Sequence, residues 1–214
     1  MDKKIRIKAD GKEIEVKEGD NLLRACLDNN IFIPNLCYMG GMDSPPVSCR
    51  LCFVEIEGQN GPVSSCTVKV SDGMVIYTGT DKVRRLQRTA LEFLLSTHKV
   101  ECASCPANKN CEIQKLAKFL KVGLKSEDYK KYLKEVDLDD THPELNYYPN
   151  RCVLCGRCVY VCGQKNNSVL SFARRGLETV ITFYRQEDNL ICGTCKECVE
   201  VCPVKALTLK EANS

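Results

Sequence analysis

Cysteine dominates the chemistry available to this chain of 214 residues, which contains sixteen cysteines and only two histidines. Such a content approaches that of small secreted proteins held together by disulfides. The amino terminus, however, runs from Met1 straight into an alternating strand-like pattern, with no apolar export segment and no cleavage site. We therefore expect a cytoplasmic protein whose reduced cysteines act as soft thiolate ligands for metals.

The clearest motif is a cysteine pattern that occurs twice near the carboxyl end. The spacing C-x2-C-x2-C-x3-C occupies residues 152–162 and returns at residues 192–202, where Pro203 follows; Gly163 stands at the corresponding place in the first copy. Three thiolates of such a run can wrap around one 4Fe-4S cubane, while the fourth begins a helix and reaches the other cubane. Structural zinc fits less well, because it prefers two ligand pairs separated by a longer span.

This rule predicts two ligand sets that each combine both copies of the motif. The chain has four groups of predicted ligands, numbered in their order along the sequence, and these two sets are the third and the fourth. The third group is Cys152, Cys155, Cys158 and Cys202. The fourth group is Cys162, Cys192, Cys195 and Cys198.

A first group of cysteines lies near the amino end, with the spacing C-x11-C-x2-C-x13-C. It consists of Cys37, Cys49, Cys52 and Cys66. The spacing differs from the C-x4-C-x2-C of plant-type ferredoxins, but it suits a 2Fe-2S cluster, which needs two thiolates for each iron. For these four residues alone, a zinc ion remains an alternative.

The second group has three cysteines and one histidine: His98, Cys102, Cys105 and Cys111. Three cysteines cannot complete a 4Fe-4S site, and His98 lies just upstream, at the end of a predicted helix. A lone histidine is more often a solvated or capping residue than a ligand, and only its position recommends this one. The other histidine, His142, lies in a charged stretch and is expected at the surface. The four groups leave only Cys26, predicted to be a buried free thiol on the apolar side of a helix.

The predicted fold class is α+β. Residues 5–16 alternate apolar and polar around Asp10-Gly11, which indicates a hairpin with a type I′ turn. A short helix capped by Asp20 or Asn21 follows. Further strands are predicted at residues 53–56, 63–70 and 74–77. Two hairpins around one helix indicate a β-grasp-like domain for the 2Fe-2S cluster.

The rest of the chain changes to a helical period. A helix capped by Thr80 or Asp81 ends near His98, and a second one spans residues 113–122. A hairpin, with strands at residues 168–173 and 177–184, is predicted between the two motif copies. The predicted domains are a β-grasp 2Fe-2S domain (1–78), a helical segment with the one-histidine, three-cysteine site (79–122), a charged connector (123–145) and a two-cubane ferredoxin module (146–214).

Composition argues against several classes of protein. The net charge is +3, and the cluster of Lys82, Arg84, Arg85 and Arg88 has the spacing of a solvated helix face, so we expect no nucleic-acid binding. No apolar run reaches the roughly 18 residues of a transmembrane helix, so direct membrane insertion is not expected. Neither a G-x-G-x-x-G fingerprint nor a Walker loop is present, which leaves flavin and NAD(P) binding to other subunits.

The order of these motifs resembles the amino-terminal cluster region of the large iron-sulfur subunit of respiratory complex I. It is similar also to the corresponding subunits of NAD(P)-linked hydrogenases and formate dehydrogenases, over essentially the whole chain. The resemblance implies a 2Fe-2S cluster on the first group, a histidine-ligated 4Fe-4S cluster on the second, and two cubanes on the third and fourth.

The function expected from the resemblance is electron transfer. The chain stops at Ser214, without the molybdopterin-type domain of complex I or the H-cluster domain of iron-only hydrogenases. We therefore expect a non-catalytic relay subunit of a NiFe hydrogenase, placed between a flavin/NAD(P)-binding subunit and the hydrogenase subunits. Some hydrogenases of this kind are electron-bifurcating. Alternatives are a relay subunit of a formate dehydrogenase or complex I-like assembly, a free polyferredoxin, and a structural zinc-binding interaction module.

Overall fold

Two units make up the chain in the computed structural model, residues 1–91 and residues 92–214. The structure describes residues 3–125, 131–165, 169–184, 192 and 195–210. The strands are β1 (Lys4–Ala9), β2 (Lys12–Lys17), β3 (Phe53–Ile56), β4 (Val63–Ser64), β5 (Val75–Tyr77), β6 (Leu145–Tyr147), β7 (Leu170–Ala173), β8 (Val180–Phe183) and β9 (Leu207–Leu209). The helices are α1 (Leu22–Asp28), α2 (Asp81–Ser96), α3 (Glu112–Leu120), α4 (Arg157–Gln164) and α5 (Glu197–Glu200). The boundary between the units falls within α2, and the four predicted domains stay predictions.

A mixed five-stranded sheet forms the first unit, in the order β2-β1-β5-β3-β4. The predicted first hairpin is confirmed: Asp10 and Gly11 have φ of 47° and 86°, the two positive values of a type I′ turn. β5 runs parallel to β1 and antiparallel to β3. The predicted helix cap is Asn21, whose side chain accepts a hydrogen bond from the backbone N–H of Arg24. Together the sheet and α1 bury one apolar face, and the predicted α+β class is confirmed.

The strand predicted at residues 63–70 is mostly wrong. Only Val63–Ser64 is a strand, and the chain then turns through a 3-10 helix at Ser65–Thr67. The backbone N–H and the hydroxyl of Ser65 both donate to the carbonyl of Cys52, at 2.9 and 2.8 Å. These bonds draw the chain toward the C-x2-C loop instead of along β3, and they bury Cys66 completely.

Both predicted helices after the sheet are present. Thr80 caps α2, because its hydroxyl accepts a hydrogen bond from the N–H of Val83 at 3.2 Å. α3 begins directly after Cys111 and ends at Leu120, where Lys121 caps it with a left-handed backbone. Along the chain, the two helices therefore precede and follow the cysteines of the second group.

Short elements make up the second unit around its cysteine loops. β6 pairs with β9, and β7 pairs with β8 in the hairpin predicted between the motif copies. The second strand of that hairpin begins later than expected, after a 3-10 turn at Gly176–Glu178, and Ser168 lies outside the described residues. Residues 131–140 are largely exposed and irregular, as expected of a connector. In the described ranges, no helix is long and apolar enough to span a membrane.

Candidate metal centres

The four thiols of the first group are buried in the first unit, with at most 3% of each residue exposed. They form two pairs, in which Cys37 is hydrogen-bonded to Cys49 and Cys52 to Cys66. The charges of Cys37, Cys49 and Cys52 also act on Cys66, so all four thiols lie near one another. The four cysteines are therefore arranged as two pairs of candidate metal ligands.

The electrostatics of these pairs favour a cation. A hydrogen bond from Cys49 lowers the pKa of Cys37 to about 6, and one from Cys66 lowers the pKa of Cys52 to about 7. The two donors respond in the opposite sense, because the pKa values of Cys49 and Cys66 are raised by the same bonds. In each pair, one sulfur is stabilised as a thiolate by the proton that the other keeps, so hydrogen bonding alone allows only one thiolate for each pair. Four thiolates at this site require added positive charge. The iron of a 2Fe-2S cluster supplies such charge, so the donor set fits the predicted group.

Two residues of this loop have a backbone that sequence reasoning missed. Val47 and Arg50 have φ of 53° and 52°, in the left-handed region that residues with a Cβ rarely adopt. Arg50 lies inside the C-x2-C motif, between Cys49 and Cys52. Neither residue is glycine, which is the usual sequence signal for this conformation.

The cysteines of the second group lie around the start of α3. Cys102 begins a short 3-10 turn and is partly exposed, as is Cys105, whereas Cys111 is buried. Burial raises the pKa of Cys111, while hydrogen bonds from the backbone N–H groups of Ile113 and Gln114 act in the opposite direction. The charges of Cys102 and Cys105 act on Cys111 too, so the structure brings these three thiols together.

His98 is buried, with 7% of the residue exposed, and its ring has a defined orientation. Nδ1 lies 2.9 Å from the carbonyl oxygen of Arg151. Because a carbonyl only accepts, Nδ1 carries the proton and Nε2 keeps its lone pair. Burial lowers the pKa of the ring, which favours the neutral form. Metal-ligating histidines are typically held by such a bond from the other nitrogen. The hydrogen bond shown for His98 leads to Arg151 rather than to the three cysteines.

The third group surrounds one cavity in the second unit. Cys152, Cys155, Cys158 and Cys202 all line it. The remaining walls are mainly apolar and include Val153, Ile181, Val204 and Leu207. Two of the sulfurs accept backbone hydrogen bonds: Cys152 from the N–H of Leu154 at 3.4 Å, and Cys202 from that of Ala206 at 3.1 Å. A cysteine of the second motif copy thus joins three cysteines of the first.

The fourth group shows the reciprocal arrangement. The charges of Cys162, Cys192 and Cys195 all act on Cys198, so the last cysteine of the first copy lies among three of the second. Burial raises the pKa of Cys198, and likewise that of Cys155 in the third group, to about 12. Thiols crowded in this way ionise together only beside positive charge, which a 4Fe-4S cluster supplies.

Single-ion sites have a different geometry. Among the residues that the structure describes, no three His, Cys, Asp or Glu side chains gather closely enough to hold one metal ion. A cluster distributes its four protein ligands over two or four iron atoms, so the ligands need not converge on one point.

Two family models match parts of the chain. A 2Fe-2S iron-sulfur cluster binding domain matches residues 2–81, and an NADH-ubiquinone oxidoreductase-G iron-sulfur binding region matches residues 87–124. The first part of the chain is therefore similar to 2Fe-2S domains, and the segment after it is similar to an iron-sulfur region of the NADH-ubiquinone oxidoreductase G type.

Relatives of this chain belong to NAD(P)-linked oxidoreductases. The NADP-reducing hydrogenase subunit HndD of Solidesulfovibrio fructosivorans is 33% identical over 97% of this chain and 36% of its own length. The G 2 subunit of NADH-quinone oxidoreductase from Rhizobium meliloti is 34% identical over 95% of this chain and 24% of its own length. The predicted resemblance to complex I and hydrogenase subunits is confirmed, although this chain spans only about a third or a quarter of these two relatives.

A solved structure extends the likeness to three dimensions. A chain in a crystal structure of an NAD+-reducing NiFe hydrogenase in the H2-reduced state superposes with a TM-score of 0.85 and 27% identity. The match covers 97% of this chain and 88% of that chain. The predicted iron-sulfur and hydrogenase relationship is therefore supported by fold as well as by sequence.

The two motif copies of this iron-sulfur chain share a backbone feature. Gly156 and Lys196 are equivalent residues, each directly after the second cysteine of its motif, and they have φ of 77° and 50°. Each lies immediately before a helix, α4 or α5. The N–H of Arg157, the next residue in the first copy, donates to the thiol of Cys155. In the first copy, the left-handed residue thus turns a backbone donor toward the sulfur of a predicted ligand.

Two residues outside the four groups complete the comparison with the sequence predictions. Cys26 is fully buried and burial raises its pKa to about 12, so the predicted buried free thiol is confirmed. The prediction for His142 is wrong, because only 4% of it is exposed and its ring lies 4.8 Å from that of Phe183. The charged sequence around His142 concealed this packing.

Proposed function

We propose that the chain is the electron-relay subunit of a cytoplasmic NAD(P)-linked NiFe hydrogenase. The observation that carries the proposal is the assembly of buried cysteines into separate groups, of which the third encloses one cavity with ligands from both motif copies. The NiFe hydrogenase chain supports the choice of enzyme, because the structural likeness covers 88% of it. The partners in this proposal are a flavin/NAD(P)-binding subunit and the hydrogenase subunits.

The ligand sets follow the groups described above. The first group holds a 2Fe-2S cluster, with Cys37 and Cys49 on one iron and Cys52 and Cys66 on the other. This division is supported by the hydrogen-bonded pairing of the thiols. The second group, with Nε2 of His98, holds a 4Fe-4S cluster. The third and fourth groups hold one 4Fe-4S cluster each.

Bound clusters supply one-electron chemistry at potentials that the protein sets. The chain contributes burial, hydrogen bonds to sulfur and connections between the groups. Nδ1–H of His98 donates to the carbonyl of Arg151, whose peptide bond leads directly to Cys152. A ligand of the second group is thereby joined to a ligand of the third by one hydrogen bond and a few covalent bonds. This connection supports electron transfer between those two clusters.

A relay subunit of a complex I-like assembly or of a formate dehydrogenase is the second candidate. The 34% identity to a G-type subunit of an NADH-quinone oxidoreductase favours the complex I-like form. The metal of the co-purifying partner separates these assemblies, since nickel indicates a NiFe hydrogenase and molybdenum or tungsten a formate dehydrogenase.

The test is the iron and acid-labile sulfide content of the anaerobically purified complex. We expect about fourteen of each per chain, from one 2Fe-2S and three 4Fe-4S clusters, together with nickel in the partner. Cys155→Ala and Cys195→Ala should each lose about four irons, whereas Cys26→Ala, the matched control, should lose none. Zinc without sulfide would overturn the proposal. About ten irons in the wild type would show that the second group holds no cluster.

A further inference from the structure

Tyr147 lies at the cavity of the third group. The residue ends β6 and pairs with Leu207 in β9, the strand that follows Cys202 along the chain. Only 1% of Tyr147 is exposed, and it lines the same cavity as the four thiols of the third group. A tyrosine hydroxyl buried in this way requires hydrogen-bond partners.

Two partners hold the hydroxyl of Tyr147 in one orientation. The backbone N–H of Ile181, in β8, donates to the hydroxyl oxygen at 3.1 Å. The side chains of Tyr147 and Cys152 also form a hydrogen bond. Because an amide N–H only donates and a thiolate only accepts, the hydroxyl hydrogen must point to the sulfur.

We propose that Tyr147 sets the reduction potential of the cluster on the third group by donating this hydrogen bond to the sulfur of Cys152. The inference rests on the proposed function, because it requires a 4Fe-4S cluster on those four cysteines. It also gives a role to the β7–β8 hairpin, which lies between the motif copies and contributes no ligand in the proposed sets. Its Ile181 N–H occupies the hydroxyl oxygen and thereby aims the hydrogen at the sulfur.

The direction of the effect follows from electrostatics. The reduced cluster carries one more negative charge than the oxidised cluster, and the positive end of the O–H dipole lies nearest to the sulfur. The bond therefore stabilises the reduced state more than the oxidised state and raises the potential. Burial strengthens the effect, because the low local dielectric screens it little.

The first experiment is a potentiometric titration of the anaerobic, cluster-loaded full chain, followed by electron paramagnetic resonance. In Tyr147→Phe, the midpoint potential of one 4Fe-4S signal should shift to a more negative value, while the other clusters keep theirs. The signal that shifts should be the one that Cys155→Ala abolishes. Tyr148→Phe is the matched control: it removes the same group one residue away, where the ring lies 3.9 Å from the guanidinium carbon of Arg151. Its potentials should equal those of the wild type.

A second variant separates a hydrogen-bonding role from a merely structural one. Replacing Tyr147 with 3-fluorotyrosine keeps the ring and makes the hydroxyl a stronger donor, so the potential should move in the opposite direction, above the wild-type value. The backbone N–H groups that donate to Cys152, Cys155 and Cys202 also exchange in D2O. Pulsed resonance should therefore show one exchangeable deuteron fewer near the cluster in Tyr147→Phe than in the wild type and in Tyr148→Phe.

The outcomes distinguish this inference from the proposed function. A wild-type chain without a cluster on the third group would overturn the proposed function itself. A fully loaded Tyr147→Phe with an unchanged potential, or a 3-fluorotyrosine chain that shifts in the same direction as phenylalanine, would overturn only the role of Tyr147. If Tyr147→Phe fails to hold its cluster, the 3-fluorotyrosine chain still decides the question.

Discussion

The two histidines of the chain are both buried, but their rings are held in opposite ways. Nδ1 of His98 donates to a carbonyl, so the lone pair on Nε2 is available to a metal. Nδ1 of His142 instead accepts from the backbone N–H groups of Glu144 and Leu145, both at 3.1 Å, so its proton lies on Nε2. Hydrogen bonding therefore suits His98, rather than His142, to act as a ligand through Nε2.

The ligand role of His98 can be tested with two substitutions. His98→Ala should lose about four irons, because the second group keeps only three donors. His98→Cys should retain the iron but lower the potential of that cluster, since a thiolate adds negative charge where the imidazole is neutral. Iron analysis and redox titration measure both effects. His142→Asn, which keeps an acceptor for Glu144 and Leu145, is the control and should retain all iron; a fully loaded His98→Ala would refute the ligand role.

At the scale of elements, the left-handed residues before α4 and α5 carry a conformational cost that differs between the two motif copies. Gly156 adopts its φ of 77° without steric penalty, whereas Lys196 at 50° has a Cβ. A residue with a Cβ in this region costs roughly 1–2 kcal/mol. The repeated conformation, despite this cost, indicates that the turn is set by the cysteine geometry rather than by local preference.

Reciprocal substitutions should therefore change stability in opposite directions. Gly156→Ala should lower the free energy of unfolding by about 1 kcal/mol, and Lys196→Gly should raise it by up to about 1 kcal/mol. Anaerobic urea titration, followed by cluster absorbance, measures both. Gly163→Ala is the control, because Gly163 lies within α4 and an added Cβ has no described atom within 4 Å apart from its chain neighbours and the backbone of its own helix; it should be neutral or stabilising. Equal losses in Gly156→Ala and Gly163→Ala would contradict the explanation.

At the scale of the whole molecule, each of the two units is stabilised in a different way. The first unit has a five-stranded sheet with an apolar core that includes Ile5, Ile7, Leu22 and Ile76. The described strands of the second unit are three or four residues long and pair only two by two. Two-stranded sheets of this kind are marginal by themselves, so metal binding should contribute more of the folding energy of the second unit.

Iron removal should therefore affect the two units differently. After chelation under reducing conditions, backbone amides of β1 and β2 should stay protected from hydrogen exchange, while those of β6, α4 and β9 should lose protection. Hydrogen exchange read by mass spectrometry resolves these segments. Mock treatment without chelator is the control. Equal loss of protection in both units would show that the sheet also depends on its cluster.

Much of the site was predictable because the motifs are local. The cysteine groups were predicted from spacing within short runs. Turn chemistry predicted the Asp10-Gly11 turn, and periodicity predicted helices α2 and α3, because these elements depend on neighbouring residues. The strand at residues 63–70 was mispredicted for the opposite reason. Its apolar alternation was overridden when Ser65 bonded to the carbonyl of Cys52, a contact across thirteen residues.

Spacing along the chain was enough to predict an iron-sulfur protein, four groups of cysteines and the one cysteine outside them, because covalent spacing limits what a run of thiolates can bind. Tertiary structure alone decided how the thiols of the first group pair, which nitrogen of His98 faces a carbonyl, and that Tyr147 points at Cys152. Each of these contacts joins a side chain to a partner set by how the chain folds back on itself, such as Ile181, which is 34 residues from Tyr147. Such partners are chosen by packing, which no local pattern encodes.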